Sequence, residues 1–147
     1  MIAVPARINF VTLAVDDLDR ARAFYAGLGW APDGPEGAGA EEVAFYDLNG
    51  VIFALYRRDH FRGDLRLPPG PRTGAAETAF AINVETPEQV REVLGQAEQA
   101  GGVILAPAQQ TPWGGTAGYF ADPDGHAWEI AYNPGMPLDA EGRVRLG

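Results

Sequence analysis

The sequence predicts an α+β fold: two βαβββ modules whose strands form a curved mixed sheet, a cup with helices on its outer face. Three observations carry this. Alternating, β-prone apolar segments open residues 8–15 and 78–84, a helical pattern follows each, and paired strand-like segments follow each helix. The pattern is written twice, so the internal repeat is the main organising feature.

The first opening strand runs Ile8 to Val15, with Val11, Leu13 and Val15 on one face. Asp16 or Asp17 can cap the helix that follows, whose apolar positions are Leu18, Ala21, Phe24, Tyr25 and Leu28; Gly27 or Gly29 ends it. Three strands are expected next: a short one near Trp30, then Glu42–Leu48, then Val51–Arg57. Between the last two, Asn49-Gly50 supplies the positive φ of a tight hairpin. Gly34–Ala40 reads as a loop.

The second module opens with Thr78–Val84, where Phe80, Ile82 and Val84 match the first copy. Its helix has Thr86 as cap, Pro87 in the first turn and Gln89 completing a capping box. Val90, Val93, Leu94 and Ala97 form the apolar stripe and Gly101-Gly102 the stop. Strands follow at Val103–Ala106, Thr116–Ala121 and Ala127–Tyr132, the last two joined by Asp122-Pro123-Asp124-Gly125. One domain, 7–134, results: module one 7–58, linker 59–76, module two 77–134, and a tail 135–147 with little periodicity.

Composition removes several mechanisms. The 147 residues contain no cysteine, serine or lysine, which excludes thiolate chemistry, a serine triad and Schiff bases; all 11 basic residues are arginine. The net charge of −9 argues against nucleic acid as a partner and is compatible with a cationic ligand. No apolar run is long enough for a membrane span and the N-terminus lacks signal-peptide character, so a cytoplasmic protein is expected. The arginine-rich stretch Arg57 to Arg72, with His60, reads as a solvated connector.

Strand alternation assigns the inner face. It holds Phe10, Thr12 and Ala14; Ile52, Ala54 and Tyr56; Ala79, Ala81 and Asn83; and Ala127, Glu129 and Ala131, with Tyr119 inward and Phe120 outward. Small residues dominate this lining. Unfilled apolar space costs stability, about 24 cal/mol per Å3 in one protein series, so an alanine-lined concavity suits a small-molecule ligand. The polar and aromatic candidates for binding it are Phe10, Thr12, Tyr56, Asn83, Trp113, Tyr119 and Glu129. His126 and Glu129 are three apart on a strand and point to opposite faces.

Two segments and the repeat together resemble one family. Val15-Asp16-Asp17-Leu18-Asp19-Arg20-Ala21-Arg22-Ala23-Phe24-Tyr25 is similar to the opening strand–helix signature of the vicinal oxygen chelate superfamily. Gly114-Gly115-Thr116-Ala117-Gly118-Tyr119-Phe120-Ala121-Asp122-Pro123-Asp124-Gly125-His126-Ala127-Trp128-Glu129 resembles its closing hairpin. That superfamily includes glyoxalase I, extradiol dioxygenases and bleomycin-resistance proteins. The resemblance implies four metal-ligand positions, which here fall on Phe10, Ala54, Ala79 and Glu129. Only Glu129 carries a donor atom, so no metal site and no cofactor are expected.

Three readings follow. The first is a metal-free, glyoxalase- or bleomycin-resistance-like protein that binds a small organic molecule. The second is a lyase- or dioxygenase-like enzyme with Glu129 as its catalytic group, with or without a divalent metal. The third is an interaction protein whose cup is filled by a partner subunit. A homodimer is expected in each case.

Overall fold

The computed structural model describes residues 6–33, 41–72 and 78–144. Its elements run β1 (Phe10–Val15), α1 (Leu18–Gly27), β2 (Val43–Leu48), β3 (Val51–Arg57), α2 (Arg58–Asp64), β4 (Ala79–Val84), α3 (Pro87–Gln99), β5 (Val103–Gln110), β6 (Thr116–Ala121) and β7 (Ala127–Tyr132). The strands form two open mixed sheets, ordered β1-β3-β2 and β4-β7-β6-β5. In each, the opening strand pairs in parallel with the last strand of its module, and the remaining pairs are antiparallel. This is the α+β, twice-repeated architecture expected from sequence.

The chain divides into two compact units, Met1–Arg22 with Trp30–Thr73, and Ala23–Gly29 with Gly74–Gly147. In the first, Phe10, Thr12 and Ala14 are level with Ile52, Ala54 and Tyr56. The opposite face buries Val15, Ala44, Tyr46, Phe53 and Leu55. Asp17 caps α1, its Oδ1 accepting the Arg20 amide at 3.0 Å. Asp16 instead accepts Arg58 Nε at 2.6 Å. Asn49 and Gly50 both have positive φ, 58° and 98°, as the hairpin between β2 and β3 requires.

Two expectations need correction here. The short strand near Trp30 does not form among the described residues; Trp30 packs its ring against Tyr46 and Phe53. A backbone bond from Asp33 N to Phe45 O, 2.7 Å, is the pairing that remains. The expected loop 34–40 lies outside the described residues. The arginine-rich connector opens with a helix, α2, in which Tyr56 of β3 stacks on His60, meets Phe61 edge-on and donates to Asp64 Oδ2 at 3.0 Å. Local side-chain contacts of this kind fold a charged segment that has no apolar stripe of its own.

The second unit carries a larger core. Helix α3 starts at the expected capping box: Thr86 Oγ1 accepts Gln89 N, and the Gln89 side chain accepts Thr86 N. Val90, Leu94 and Ala97 are buried against the sheet with Phe120, Trp128 and Ile130. The C-terminal half of α1 belongs to this unit. Phe24 meets Phe120 at a 6.0 Å centroid distance, and Tyr25 meets Trp128 at 6.3 Å.

A buried carboxylate organises that core. Asp122, 2% exposed, accepts the Tyr25 hydroxyl at 2.7 Å on Oδ2 and the amides of Asp124 (2.9 Å) and His126 (2.8 Å) on Oδ1. Trp128 Nε1 in turn donates to the Tyr25 oxygen at 3.2 Å. After β7 the chain makes a turn at Asn133–Met136 and a single bridge between Leu138 and Val144.

Burial, then the carboxylate of Asp122, pushes the Tyr25 phenol far above its ordinary value of 10.0. Folding therefore favours the protonated phenol. That contribution is complete below pH 10 and declines as pH rises above it, by up to about 1.4 kcal/mol per pH unit. Tyr25→Phe strands an Asp122 oxygen and the Trp128 N–H, so it is expected to lower unfolding free energy by about 1–3 kcal/mol at pH 7. Its stability should then fall less steeply than the wild type's above pH 10. Urea titrations of both proteins at pH 7 to 11 check this; parallel pH profiles would refute it.

Candidate functional site

The open face of the second sheet carries the site. Across β4, β7 and β6, Ala81 is level with Glu129 and Glu129 with Tyr119; Asn83 is level with Ala131, and Ala131 with Ala117. Small neighbours on both sides leave the Glu129 and Tyr119 side chains standing above the sheet.

The wall beside them is made by an irregular β5. Two residues of β5, Ile104 and Ala106, span one step of β6, and Ala106 to Gln109 spans only two. Each mismatch is one extra residue, a β-bulge. Pro107 fits such an edge position because no ladder hydrogen bond is asked of it. Gly118 on β6 makes room for the displaced strand: a Cβ there would approach Leu94 Cδ1 to 2.5 Å, Ala106 O to 3.0 Å and Ala108 N to 3.1 Å.

The β5–β6 loop then folds back over the face. Thr111 closes it three times: its N–H donates to Gly115 O, its carbonyl accepts Gly114 N, and its Oγ1 accepts Gly115 N, all within 3.1 Å. Gly114 sits at φ +88°, a conformation glycine adopts without strain. A Cβ at Gly115 would overlap the Trp113 ring and the Tyr132 carbonyl oxygen. Trp113 thus lies folded over a bare backbone while remaining 48% exposed.

The result is a hollow of about 280 Å3. Its floor is Ala117, Tyr119 and Glu129; its walls are Ala106, Pro107, Gln109 and Gln110, then Thr111, Pro112 and Trp113. The volume is at the small end of the roughly 300–1,000 Å3 usual for small-molecule sites. Among the described residues that line it, Glu129 is the only carboxyl group and none is basic. The Tyr119 hydroxyl donates to Glu129 Oε2 at 2.6 Å. That hydrogen bond, then burial and the Glu129 charge, raises the Tyr119 pKa, so the phenol remains a neutral donor.

Of the seven ligand-binding candidates, the structure brings together Trp113, Tyr119 and Glu129. Asn83 lies on the same face but outside the hollow's lining. Phe10, Thr12 and Tyr56 lie on the first unit's sheet. Phe10 is 58% exposed and packs edge-on against Phe45, Thr12 is exposed, and Tyr56 is engaged by α2. The Tyr56 pKa is raised, chiefly by its hydrogen bond to Asp64. Sequence reasoning missed Pro107, Gln109, Gln110 and Pro112. It ended β5 at Ala106, whereas the strand runs on to Gln110.

The metal implied by the family resemblance does not fit these residues. Around Glu129, the paired positions are Ala81 and Tyr119, and Ala79 lies two residues away on β4. In the first sheet Phe10 and Ala54 occupy the corresponding positions. Phenyl and methyl groups offer no lone pair, and one carboxylate already bonded to a phenol does not make a divalent site.

The family profile named Glyoxalase/Bleomycin resistance protein/Dioxygenase superfamily matches residues 7–130. The crystal structure of a glyoxalase-related enzyme from Fulvimarina pelagi is 35% identical, with a TM-score of 0.87, over 97% of this chain and 99% of that one. A glyoxalase/bleomycin resistance protein/dioxygenase from Nocardioides shares the fold at 22% identity and TM-score 0.71, over 100% and 93% of the two chains. A lactoylglutathione lyase from Agrobacterium tumefaciens does so at 23% and 0.63, over 87% and 94%. With the repeat, the sheet order and the closing hairpin, these matches show that the chain belongs to the glyoxalase/bleomycin resistance protein/dioxygenase superfamily.

Proposed function

We propose that the hollow above β6 and β7 binds a small organic molecule bearing a protonated nitrogen, without a metal. The observation that carries this is the Glu129 carboxylate: half-buried, hydrogen-bonded to Tyr119 through one oxygen, and in a hollow with no cationic side chain among its described lining residues. A cationic nitrogen would donate to the remaining oxygen, and the Trp113 and Tyr119 rings supply the aromatic faces on which such a cation rests. Gln109 and Gln110 offer both donors and acceptors at the rim. The net charge of −9 favours the approach of a cation. Among the described residues no helix is long and apolar enough to cross a membrane, and the reading is of a cytoplasmic protein.

A second reading makes Glu129 a general base of a lyase- or isomerase-like enzyme, since a carboxylate beside a neutral phenol can take a proton from a bound substrate. Reaction screening separates the two: turnover that Glu129→Gln abolishes while binding persists would replace the binding reading. In the third, a partner subunit fills the open face; a protein answering to no small molecule would favour it.

Thermal-shift and calorimetric screening of small amines, guanidines and quaternary ammonium compounds tests the proposal, with carboxylates of similar size as controls. Hits are expected among the cations only. Ligand at about 100 times its Kd should stabilise the protein by about 2.7 kcal/mol. Glu129→Gln should weaken binding roughly 10- to 150-fold, the worth of a hydrogen bond between charged groups. Equal affinity in that variant, or a preference for anions, would overturn the assignment.

Gly115→Ala is expected to displace the Trp113 ring. The indole emission should shift, and cation affinity should drop about threefold to tenfold through loss of the aromatic contact. Unchanged emission and affinity would remove Trp113 from the site.

A further inference from the structure

The first unit holds a cavity of its own, of about 340 Å3, where β3 passes into α2. Asp16, Arg57, Arg58 and Asp59 line it together with a strap, residues 69–71. The strap returns to this junction through an unusual turn. At the end of α2, Leu65, Arg66 and Leu67 donate their N–H groups to the carbonyls of Phe61, Gly63 and Arg62. Arg66 sits there at φ 60°, in the left-handed region that a residue with a Cβ enters at a cost. Arg62 Nε then donates to Pro68 O at 2.6 Å and pins the returning chain. Prolines 68, 69 and 71 each fix their own φ, so the strap is stiff without a strand partner.

One buried donor in this cavity has nothing to receive it. The Arg58 side chain is 11% exposed; its Nε donates to Asp16 Oδ1 at 2.6 Å, while its Nη2 is buried without a hydrogen-bond partner. An unmet buried N–H on a charged group is costly, and the acceptor that relieves it best is an anion. Arg57 lines the same cavity. Among the described residues, only the Nη2 of its guanidinium is engaged, by Asp59 at 3.0 Å. Residues 57–72 carry five arginines and two aspartates, a local excess of three positive charges in a chain of net charge −9. Asp16 and Asp59 are each 61% exposed, so water and salt screen their repulsion of an anion. The adjoining crevice beyond Arg57 is acidic, with Asp17, Asp19 and Glu41, and selects against an anion there.

We propose that the cavity binds a phosphate group, as the free ion or a monoester, between the guanidinium groups of Arg57 and Arg58. Phosphate brings close to two negative charges and three acceptor oxygens, enough to bridge both arginines; a carboxylate brings one charge and two oxygens. The volume lies within the roughly 300–1,000 Å3 usual for small-molecule sites, which leaves room for the carbon group of an ester. All of these residues belong to the first unit, and none lines the Glu129 hollow.

Two-dimensional 1H–15N spectra of the arginine Nε–Hε groups test it. Inorganic phosphate and phenyl phosphate are the probes, with benzoate and chloride as controls at constant ionic strength. The Arg57 and Arg58 signals are expected to shift saturably with both phosphates; tighter binding of the ester names a monoester as the occupant, equal affinity the free ion. Arg57→Gln removes a partly exposed guanidinium and should weaken binding roughly tenfold or more. Arg58→Lys keeps the charge beside Asp16 but loses the second donor nitrogen, and should weaken it by a similar factor, circular dichroism confirming that both variants are folded. Several results would overturn the proposal: no saturable shift, an equal response to benzoate or chloride, shifts spread alike over Arg62, Arg66 and Arg72, or variants that bind as the wild type does. Cation binding should be unchanged in both variants, so this proposal and the Glu129 reading fail separately.

Discussion

The second unit is arranged around one buried carboxylate. A carboxylate taken out of water costs several kcal/mol unless its lone pairs are filled, and Asp122 fills them with three donors from two places. Two come from the turn it begins, which fixes the Asp122-Pro123-Asp124-Gly125 corner and hence the register of β6 on β7. The third comes from Tyr25 of α1, ninety-seven residues earlier. That bond explains why the helix carries a tyrosine where a phenylalanine would fill the same space. It also explains why the end of α1 belongs with β6, β7 and α3: Phe24 and Tyr25 are drawn onto Phe120 and Trp128 as Tyr25 reaches the acid.

The hollow follows from that fixed corner. With β6 and β7 locked, Tyr119 is paired with Glu129 and the two side chains rise on the open face. The edge strand β5 must then reach a loop that returns to Thr116, and it does so with two extra residues taken up as bulges. Bulging moves Pro107, Gln109 and Gln110 to the rim; Gly118 beneath and Gly115 in the loop leave the space into which strand and indole move. Three glycines, Gly114, Gly115 and Gly118, thus shape a site in whose lining they have no part.

Much of this was legible in the sequence. The repeat, the Thr86–Gln89 capping box and the Asn49-Gly50 turn are local signals, and each formed where local chemistry puts it. The inward parity of Glu129 and Tyr119 followed from alternation along regular strands. What was not legible depends on partners distant in the chain. The apolar stripe of α1 shows that Tyr25 is buried but not against what, and its acceptor lies far along the chain at Asp122. Strand β5 was cut short at Ala106, before Pro107, whereas the strand runs on to Gln110 through two bulges. Helix α2 was read as connector because it has no apolar face; it is held by Tyr56, a residue assigned to an inner lining.

Glu129 gains its meaning from what surrounds it. In a position flanked by alanines, an apolar residue of similar size would rest on the sheet without the desolvation that a half-buried carboxylate suffers. The Tyr119 hydroxyl offsets part of that cost through one oxygen, but one phenol does not occupy the four or so lone-pair positions a carboxylate presents. The remaining acceptor capacity therefore faces a hollow whose other described polar side chains, those of Gln109, Gln110, Thr111 and Trp113, are neutral. The three other positions implied by the family resemblance, Phe10, Ala54 and Ala79, carry no donor atom, so on the proposed reading a ligand would bring the compensating charge itself. An organic cation would do that in a single group, with Trp113, Pro107 and Pro112 as walls for its carbon substituents.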